Sequence, residues 1–213
     1  MKTLIILTIL IYIWGNTQAE TPSLDKAVSE TLMQLHTAGS SNELYACVAK
    51  MERIAAAAPD RWELLYHLAY CRINTSFRES NGKLKDDILD QAEQEINSAL
   101  NLGGNKSELL ALQAYLYQGR IQVNASRGMK YSRMAAETLE QAIALDANNP
   151  RAHFLMGQNV FHTPKMFGGG SKNALPHFHR AMECYTASKQ TNVLSPAWGK
   201  EITLQMISAC END

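Results

Sequence analysis

The sequence predicts an all-α fold, a solenoid of stacked antiparallel helix hairpins, and three observations carry that expectation. Small residues recur at a period of about forty: Ala92, Ile96, Ala99 and Leu102 are spaced like Ala135, Leu139, Ala142 and Leu145, and like Ala174, Phe178 and Ala181. A looser copy is Cys47, Met51 and Ile54, and the terminal members Ile54, Ala99, Ala142 and Ala181 follow one another at 45, 43 and 39 residues. Between these copies the apolar positions keep three- and four-residue steps, and Gly, Pro, Asn and Ser punctuate them where helices start and stop.

Taken in order, Leu24, Ala27, Val28, Thr31, Leu32 and Leu35 mark a first helix that ends at Ala38-Gly39-Ser40. Ser41 or Asn42 is a ready N-cap for a second helix, which Pro59-Asp60 stops. A third opens near Trp62 and carries Leu64, Leu65, Leu68, Ala69 and Cys71. Residues 74–85 are polar and contain Asn81-Gly82, so they read as a loop with Asp86 capping the next helix, which stops at Gly103-Gly104. Ser107 begins a helix with Leu109, Leu112, Ala114 and Leu116, and residues 118–128 read as a second loop. A helix from about Tyr131 to Leu145 follows, Pro150 sits where a first-turn proline starts another, and that one ends near Phe161. Residues 162–170 read as a third loop, Ser171 as the cap of the helix with Phe178 and Ala181, and Ser195-Pro196 as the start of a last helix through Trp198, Ile202 and Met206.

Lys2, the apolar residues 4–14 and the small-residue exit at Ala19 form the three parts of a secretory signal. The apolar run of 11 residues is short of the roughly 20 that a span needs. Residues 1–19 are therefore expected to be cleaved, with Glu20 as the mature N-terminus, leaving 20–213 as one exported domain, periplasmic or secreted, without a stable membrane span. Removing 19 of 213 residues, one lysine among them, leaves 194 with a formal charge of −2. That balance, with no long basic run, argues against nucleic acid as a partner.

Residues 135–157, with Ala135, Leu139, Ala142, Leu145, Asn149-Pro150, Ala152 and Gly157, resemble the junction between two tetratricopeptide repeats. In that family a small residue of each first helix packs on small residues of the second; Ala69, Ala114 and Gly157 match the first role, and Ala92/Ala99, Ala135/Ala142 and Ala174/Ala181 the second. The resemblance covers roughly residues 42–188 and implies a right-handed solenoid with terminal capping helices. This chain departs from the pattern in one respect. Ala69 to Ala92, Ala114 to Ala135 and Gly157 to Ala174 span 23, 21 and 17 residues, more than a repeat of about 34 residues leaves room for, so each hairpin is expected to carry an enlarged turn. Residues 163–170, followed by Ala174, also resemble a glycine-rich turn of some secreted bacterial tetratricopeptide-like proteins, among them accessory subunits of tripartite substrate-uptake transporters.

The three long connections emerge at one end of such a stack, which brings Arg78, Arg120, Asn124, Arg127, His162, Lys165, Gly168, Gly169 and Gly170 toward one rim. As a binding surface that rim is mildly cationic; as bland loops these are solvated charges. Gly168-Gly169-Gly170-Ser171 before a helix invites comparison with phosphate-cradling loops, but no Gly-Lys-Ser/Thr follows, and glycine also serves a tight left-handed turn. His177 and His179 lie about 200° apart around a helix and cannot share one ion, and the other histidines fall in different hairpins, so no metal site is expected.

Four cysteines in an exported chain make disulfides plausible. Cys47 and Cys71 are each 12 residues from Pro59, hence at one level of a hairpin turning there, and their apolar stripes agree. A Cys47–Cys71 bond is expected, with Cys184 and Cys210 left to each other, against the alternative of four small buried core residues. No catalytic elbow, metalloprotease helix or nucleotide fingerprint occurs, so no enzyme activity and no cofactor is expected. The functional expectation is a non-catalytic protein that binds a protein or peptide on the concave face, where Tyr66, Tyr70, Tyr115, Tyr117 and Trp198 are candidates. The alternative is a small-molecule binding or delivery subunit working beside a transporter, which a closed ligand-sized cavity would favour.

Overall fold

The computed structural model describes residues 23–188 and 192–213; the expected signal segment and its cleavage point lie outside the described residues. Among these residues nine helices follow one another: α1 (Leu24–Thr37), α2 (Ser41–Ala57), α3 (Trp62–Arg78), α4 (Gly82–Asn101), α5 (Lys106–Ile121), α6 (Gly128–Leu145), α7 (Pro150–His162), α8 (Ser171–Ala187) and α9 (Lys200–Glu211). The most extensive packing joins α3 to α4, α5 to α6 and α7 to α8, the hairpins that the small-residue spacing predicts. Ala69, Ala92, Ala99, Ala114, Ala135, Ala142, Ala174 and Ala181 are fully buried along those seams. At Gly157 even a methyl is excluded, because a Cβ there would stand 2.6 Å from Phe178 Cε1.

Successive hairpins join through α4 on α5 and α6 on α7, while α1, α3, α5 and α7 also touch one another in sequence. No comparable packing joins α4 to α6 or α6 to α8. The row of first helices is thus the close, inner side of the curved stack, and the second helices splay apart on its outer side. α9 packs on α8 and covers the C-terminal end.

The hairpin turns are not enlarged as expected; the helices are longer. Of residues 74–85 only 79–81 lie outside helices, because Asn81 is itself an N-cap, its side chain accepting from Lys83 N (3.0 Å) and Leu84 N (3.1 Å). Polar residues that read as loop continue the helices instead: Thr75 and Ser76 are buried in the last turn of α3, where their hydroxyls donate to the carbonyls of Cys71 and Ile73. The second connection shrinks to 122–127, which includes a 3-10 turn, Ala125–Arg127; the third keeps 163–170, with a 3-10 turn at Lys165–Phe167. Caps shift accordingly: Ser40 forms a capping box with Glu43, Asn105 caps α5, and Asn149 caps α7 with Pro150 in its first turn. Ser171 caps nothing. Its hydroxyl donates to Asp213 Oδ2 at 2.7 Å and pins α9's C-terminal end beside the start of α8.

That last contact corrects one disulfide. With α9 antiparallel to α8, Cys210 stands near Ser171, whereas Cys184 is thirteen residues further along α8, about 20 Å away. Cys47 and Cys71 are not bonded either. All four cysteines are free and buried. Equal height in a hairpin is necessary but not sufficient, since the bond also needs facing Cβ vectors. Cys71 is wholly buried in the core, where burial pushes its thiol up, with Cys47 and Glu95 as further contributors.

Candidate functional site

On the inner side the C-terminal residues 192–199 cross the face that α3, α5 and α7 present. Ser195-Pro196 does not open a helix; the chain stays irregular until Gly199, whose φ of +106° turns it into α9. Trp198 is 9% exposed, stacked on Tyr70 (5.0 Å between centroids) and Tyr115 (5.5 Å) and edge-on to Phe154 (6.3 Å). Its Nε1–H donates to the Tyr66 hydroxyl at 3.0 Å, and its carbonyl accepts from Tyr185 Oη at 2.9 Å. His67 Nε2 lies 2.8 Å from the Leu194 carbonyl, which makes Nε2 the protonated nitrogen, and burial pushes the His67 pKa down to about 4. Asn192 reaches Glu63 at 3.5 Å. Of the aromatic residues expected on the concave face, Tyr66, Tyr70, Tyr115 and Trp198 are there, covered by the chain's own strap, whereas Tyr117 packs on Tyr131 of α6 at 5.9 Å between centroids.

On the outer side the splay of α6 from α8 opens a groove of about 1110 Å³. Met156 and Val160 of α7 form its floor, Ala136, Ile143 and Ala144 of α6 one wall, and His177 of α8 contributes to the other. Pro164 and Phe167 of the α7–α8 turn close one end, and Met129 stands at the mouth with 82% of its surface exposed. The polar groups beneath are spent internally: Ser132 Oγ donates to Asn159 Oδ1 (3.1 Å), and Asn159 Nδ2 donates to the Ser132 carbonyl (3.0 Å). Those two bonds hold α6 on α7 and leave a mostly hydrocarbon surface facing the groove. His162 and His177 are the imidazoles that reach it. Burial, with His153 nearby, lowers the His177 pKa, so at neutral pH its ring is an uncharged nitrogen donor.

The rim does not assemble as a cationic surface. Arg120 is buried, donating to Asp86 Oδ1 at 2.9 Å, to Asp90, and to Glu93 Oε2 at 3.3 Å. Arg127 pairs with the same Asp86 at 2.8 Å, and Lys165 lies 3.7 Å from Asp213. Arg78, the last residue of α3, and Asn124, in the α5–α6 connection, are exposed and outside the groove lining, with Asn124 accepting from Ser126 N. Only His162 and Gly168 of the expected rim line the groove.

The glycine run is a turn and not an anion cradle. The N–H groups of Gly168, Gly169 and Gly170 donate to the carbonyls of Lys165, Pro164 and Val160. A Cβ at Gly169 would stand 1.8 Å from the Thr163 carbonyl oxygen, while Gly168 and Gly170 take φ of +85° and +93°. All three glycines are therefore required by the backbone that carries Phe167 over the groove. Among the described residues no three His, Cys, Asp or Glu side chains are arranged to hold a metal ion.

Sequence reasoning placed Trp198 on a helix and missed the strap, and it did not single out Met129, Met156 or His177 as neighbours. Their shared face depends on how far α6 and α8 splay, which no single helix pattern encodes. The usable signal was local: Phe167 beside three glycines, an exposed aromatic on a rigid turn.

No protein-family model matches the chain, and a comparison with curated proteins finds no match. Among solved structures, the HusA haemophore from Porphyromonas gingivalis is 30% identical over 89% of this chain and 91% of its own, with a TM-score of 0.77. YrrB, a TPR protein with an unusual peptide-binding site, is 14% identical over 90% of this chain and 94% of its own, and its TM-score of 0.37 is too low to carry an argument.

Proposed function

The chain belongs to the family of the HusA haemophore, and from that premise we propose that it is a non-catalytic, exported carrier that holds an iron porphyrin in the outer groove between α6 and α8. The observation that carries this reading is the groove itself. At about 1110 Å³ it exceeds a typical drug-sized pocket, and it is partly open to solvent and lined mainly by hydrocarbon. A flat apolar macrocycle gains most from such a surface, because burying its faces releases water without leaving polar groups unpaired. His162 and His177 supply imidazole nitrogens for the iron, and Arg133 at the mouth supplies a cation for carboxylates on the macrocycle's edge.

This reading takes up the small-molecule alternative of the sequence analysis, with a partly open apolar groove in place of the closed cavity expected for it. The strap favours it over peptide binding across the whole concave face, since residues 192–199 already fill one end. Export after cleavage behind Ala19 fits the same role and is part of the proposal.

Absorbance titration of the chain from Glu20 onward with ferric haem and with iron-free protoporphyrin tests it. Both should bind with one site per chain, and Ala136→Trp, which fills the groove wall, should weaken both by roughly ten-fold or more with helicity unchanged. Titrations that Ala136→Trp leaves unaltered would remove the groove from the account.

A further inference from the structure

The two most exposed large apolar side chains among the described residues, Met166 at 83% and Met129 at 82%, stand at the same end of the stack, with Phe167 between Met166 and the glycine turn at 65%. Met129 lies in the first turn of α6 at the groove mouth, and Met166 and Phe167 lie on the 3-10 turn that closes the groove's end. Phe167 is held outward by construction. The glycine backbone behind it is closed by its own hydrogen bonds and has no room for a Cβ at Gly169, so the ring is presented on a rigid tip. Large apolar groups gathered in this way mark a contact surface.

The charge around them has one sign in the sequence. Segments 109–136 and 147–182, which carry both turns, contain no Asp or Glu. The cations that the sequence placed on the rim are spent, Arg120 and Arg127 on Asp86 of α4, and Lys165 lies beside Asp213 of α9. Other cations remain available next to the apolar trio. Lys130 and Lys172 are exposed, with no ion-pair partner among the described residues, and Arg133 meets Glu137 at 3.7 Å with both side chains in solvent.

We propose that this end of the molecule docks on an anionic lipid surface, with Met129, Met166 and Phe167 entering the acyl boundary and Lys130, Arg133 and Lys172 reaching the headgroup phosphates. The purpose of the contact rests on the carrier reading: the groove mouth then faces the bilayer, and an iron porphyrin passes between the two without crossing water. The form of the patch favours lipid over a protein partner. Its three side chains project from turns of two hairpins, which a protein would have to meet with a matching pocket, whereas a fluid apolar phase yields to them. Lysine and arginine stems lie along such a phase while their charged ends stay at the headgroups. Binding of this kind grows with the apolar area buried and with attraction to anionic lipid.

Co-sedimentation of the chain from Glu20 onward with porphyrin-free vesicles tests the surface, comparing equal parts phosphatidylcholine and phosphatidylglycerol with phosphatidylcholine alone. The chain should sediment with the mixed vesicles in preference, and less so as salt rises. Met166→Asp, at a residue outside the groove lining, should weaken this binding by roughly ten-fold while ferric haem titrates in lipid-free buffer as for the parent. Met33→Asp, which puts the same charge on an exposed methionine of α1, should leave vesicle binding unaltered. Lys130→Glu combined with Lys172→Glu should weaken it by at least as much as Met166→Asp and remove the preference for phosphatidylglycerol. Failure to sediment, equal binding to both vesicles, indifference to Met166→Asp, or an equal loss from Met33→Asp would overturn the proposal. So would self-association that Met166→Asp removes in place of vesicle binding, which would give the patch to a second copy of the chain. Because the vesicles carry no porphyrin and the haem titration no lipid, the docking surface and the carrier reading fail separately.

Discussion

Replacing Trp198 by alanine is the sharpest test of whether the strap holds the stack together. The indole is 9% exposed, touches Tyr70, Tyr115 and Phe154 from three successive first-row helices, and donates to the fully buried Tyr66 hydroxyl at 3.0 Å. Truncating a buried tryptophan costs about 3–5 kcal/mol in transfer and cavity terms. The lost hydrogen bond adds about 1 kcal/mol, and partial collapse of the strap onto the tyrosines returns some of it. We expect Trp198→Ala to lose about 4 kcal/mol, which at a urea dependence of about 2 kcal/mol per M lowers the unfolding midpoint by about 2 M. Trp198→Phe keeps the stacking and gives up the hydrogen bond, and should lose about 1 kcal/mol. Equilibrium urea unfolding followed by circular dichroism reads both. If the alanine variant stays within about 1 kcal/mol of the parent, the strap lies on the inner face without bearing on its stability, and the inner-face geometry derived from it is wrong.

Three further outcomes follow from the packing and charge arrangement. Gly157→Ala should cost about 2 kcal/mol in the same unfolding assay, because its methyl would meet Phe178 at 2.6 Å inside a closed helix seam. Arg120→Met should cost about 3 kcal/mol, at the low end for breaking a buried ion pair because Asp90 and Glu93 reach solvent; a loss below about 0.5 kcal/mol would return Arg120 to a solvated loop cation. Between pH 4.5 and 6.5 two buried groups oppose each other. His67, held down to about 4 against 6.5 when free, takes up a proton on unfolding, so its contribution is lost as pH falls. Glu95, pushed up to about 7 against 4.5 by burial despite Arg72, releases one on unfolding, so its contribution is lost as pH rises. The parent should therefore be nearly flat across that window, and Glu95→Gln should expose an acid-side loss approaching 1.4 kcal/mol per pH unit; a flat variant would refute the His67 assignment.

The hairpins were legible because their signal is local and repeated: Ala92, Ala99, Ala135, Ala142, Ala174 and Ala181 sit at fixed spacing and are buried at every copy. The turns were misread where polar residues continue a helix, as buried Thr75 and Ser76 do in α3, or cap one, as Asn81 does for α4. The cysteine pairing failed because height along a hairpin is written in residue counts, whereas the direction of a Cβ and the antiparallel docking of α9 are not. Arg120 looked like a rim cation from its place near a loop. Its neutralisation depends on Asp86, Asp90 and Glu93 of the preceding hairpin, contacts made only when α4 meets α5. The groove was the least legible feature of all, since Met129, Met156, Phe167 and His177 come from four elements and share a surface only through the splay of α6 from α8.

The most direct test of the carrier reading is a pair of backbone NMR spectra of the chain, one with ferric haem and one with zinc protoporphyrin as the diamagnetic reference. The iron should broaden the amides of Met129, Ala136, Val160, His162 and Phe167 most strongly and leave those of Tyr66, Tyr70 and Trp198 sharp. Broadening centred on Tyr70, Phe154 and Trp198 would place the porphyrin on the inner face and contradict the carrier reading.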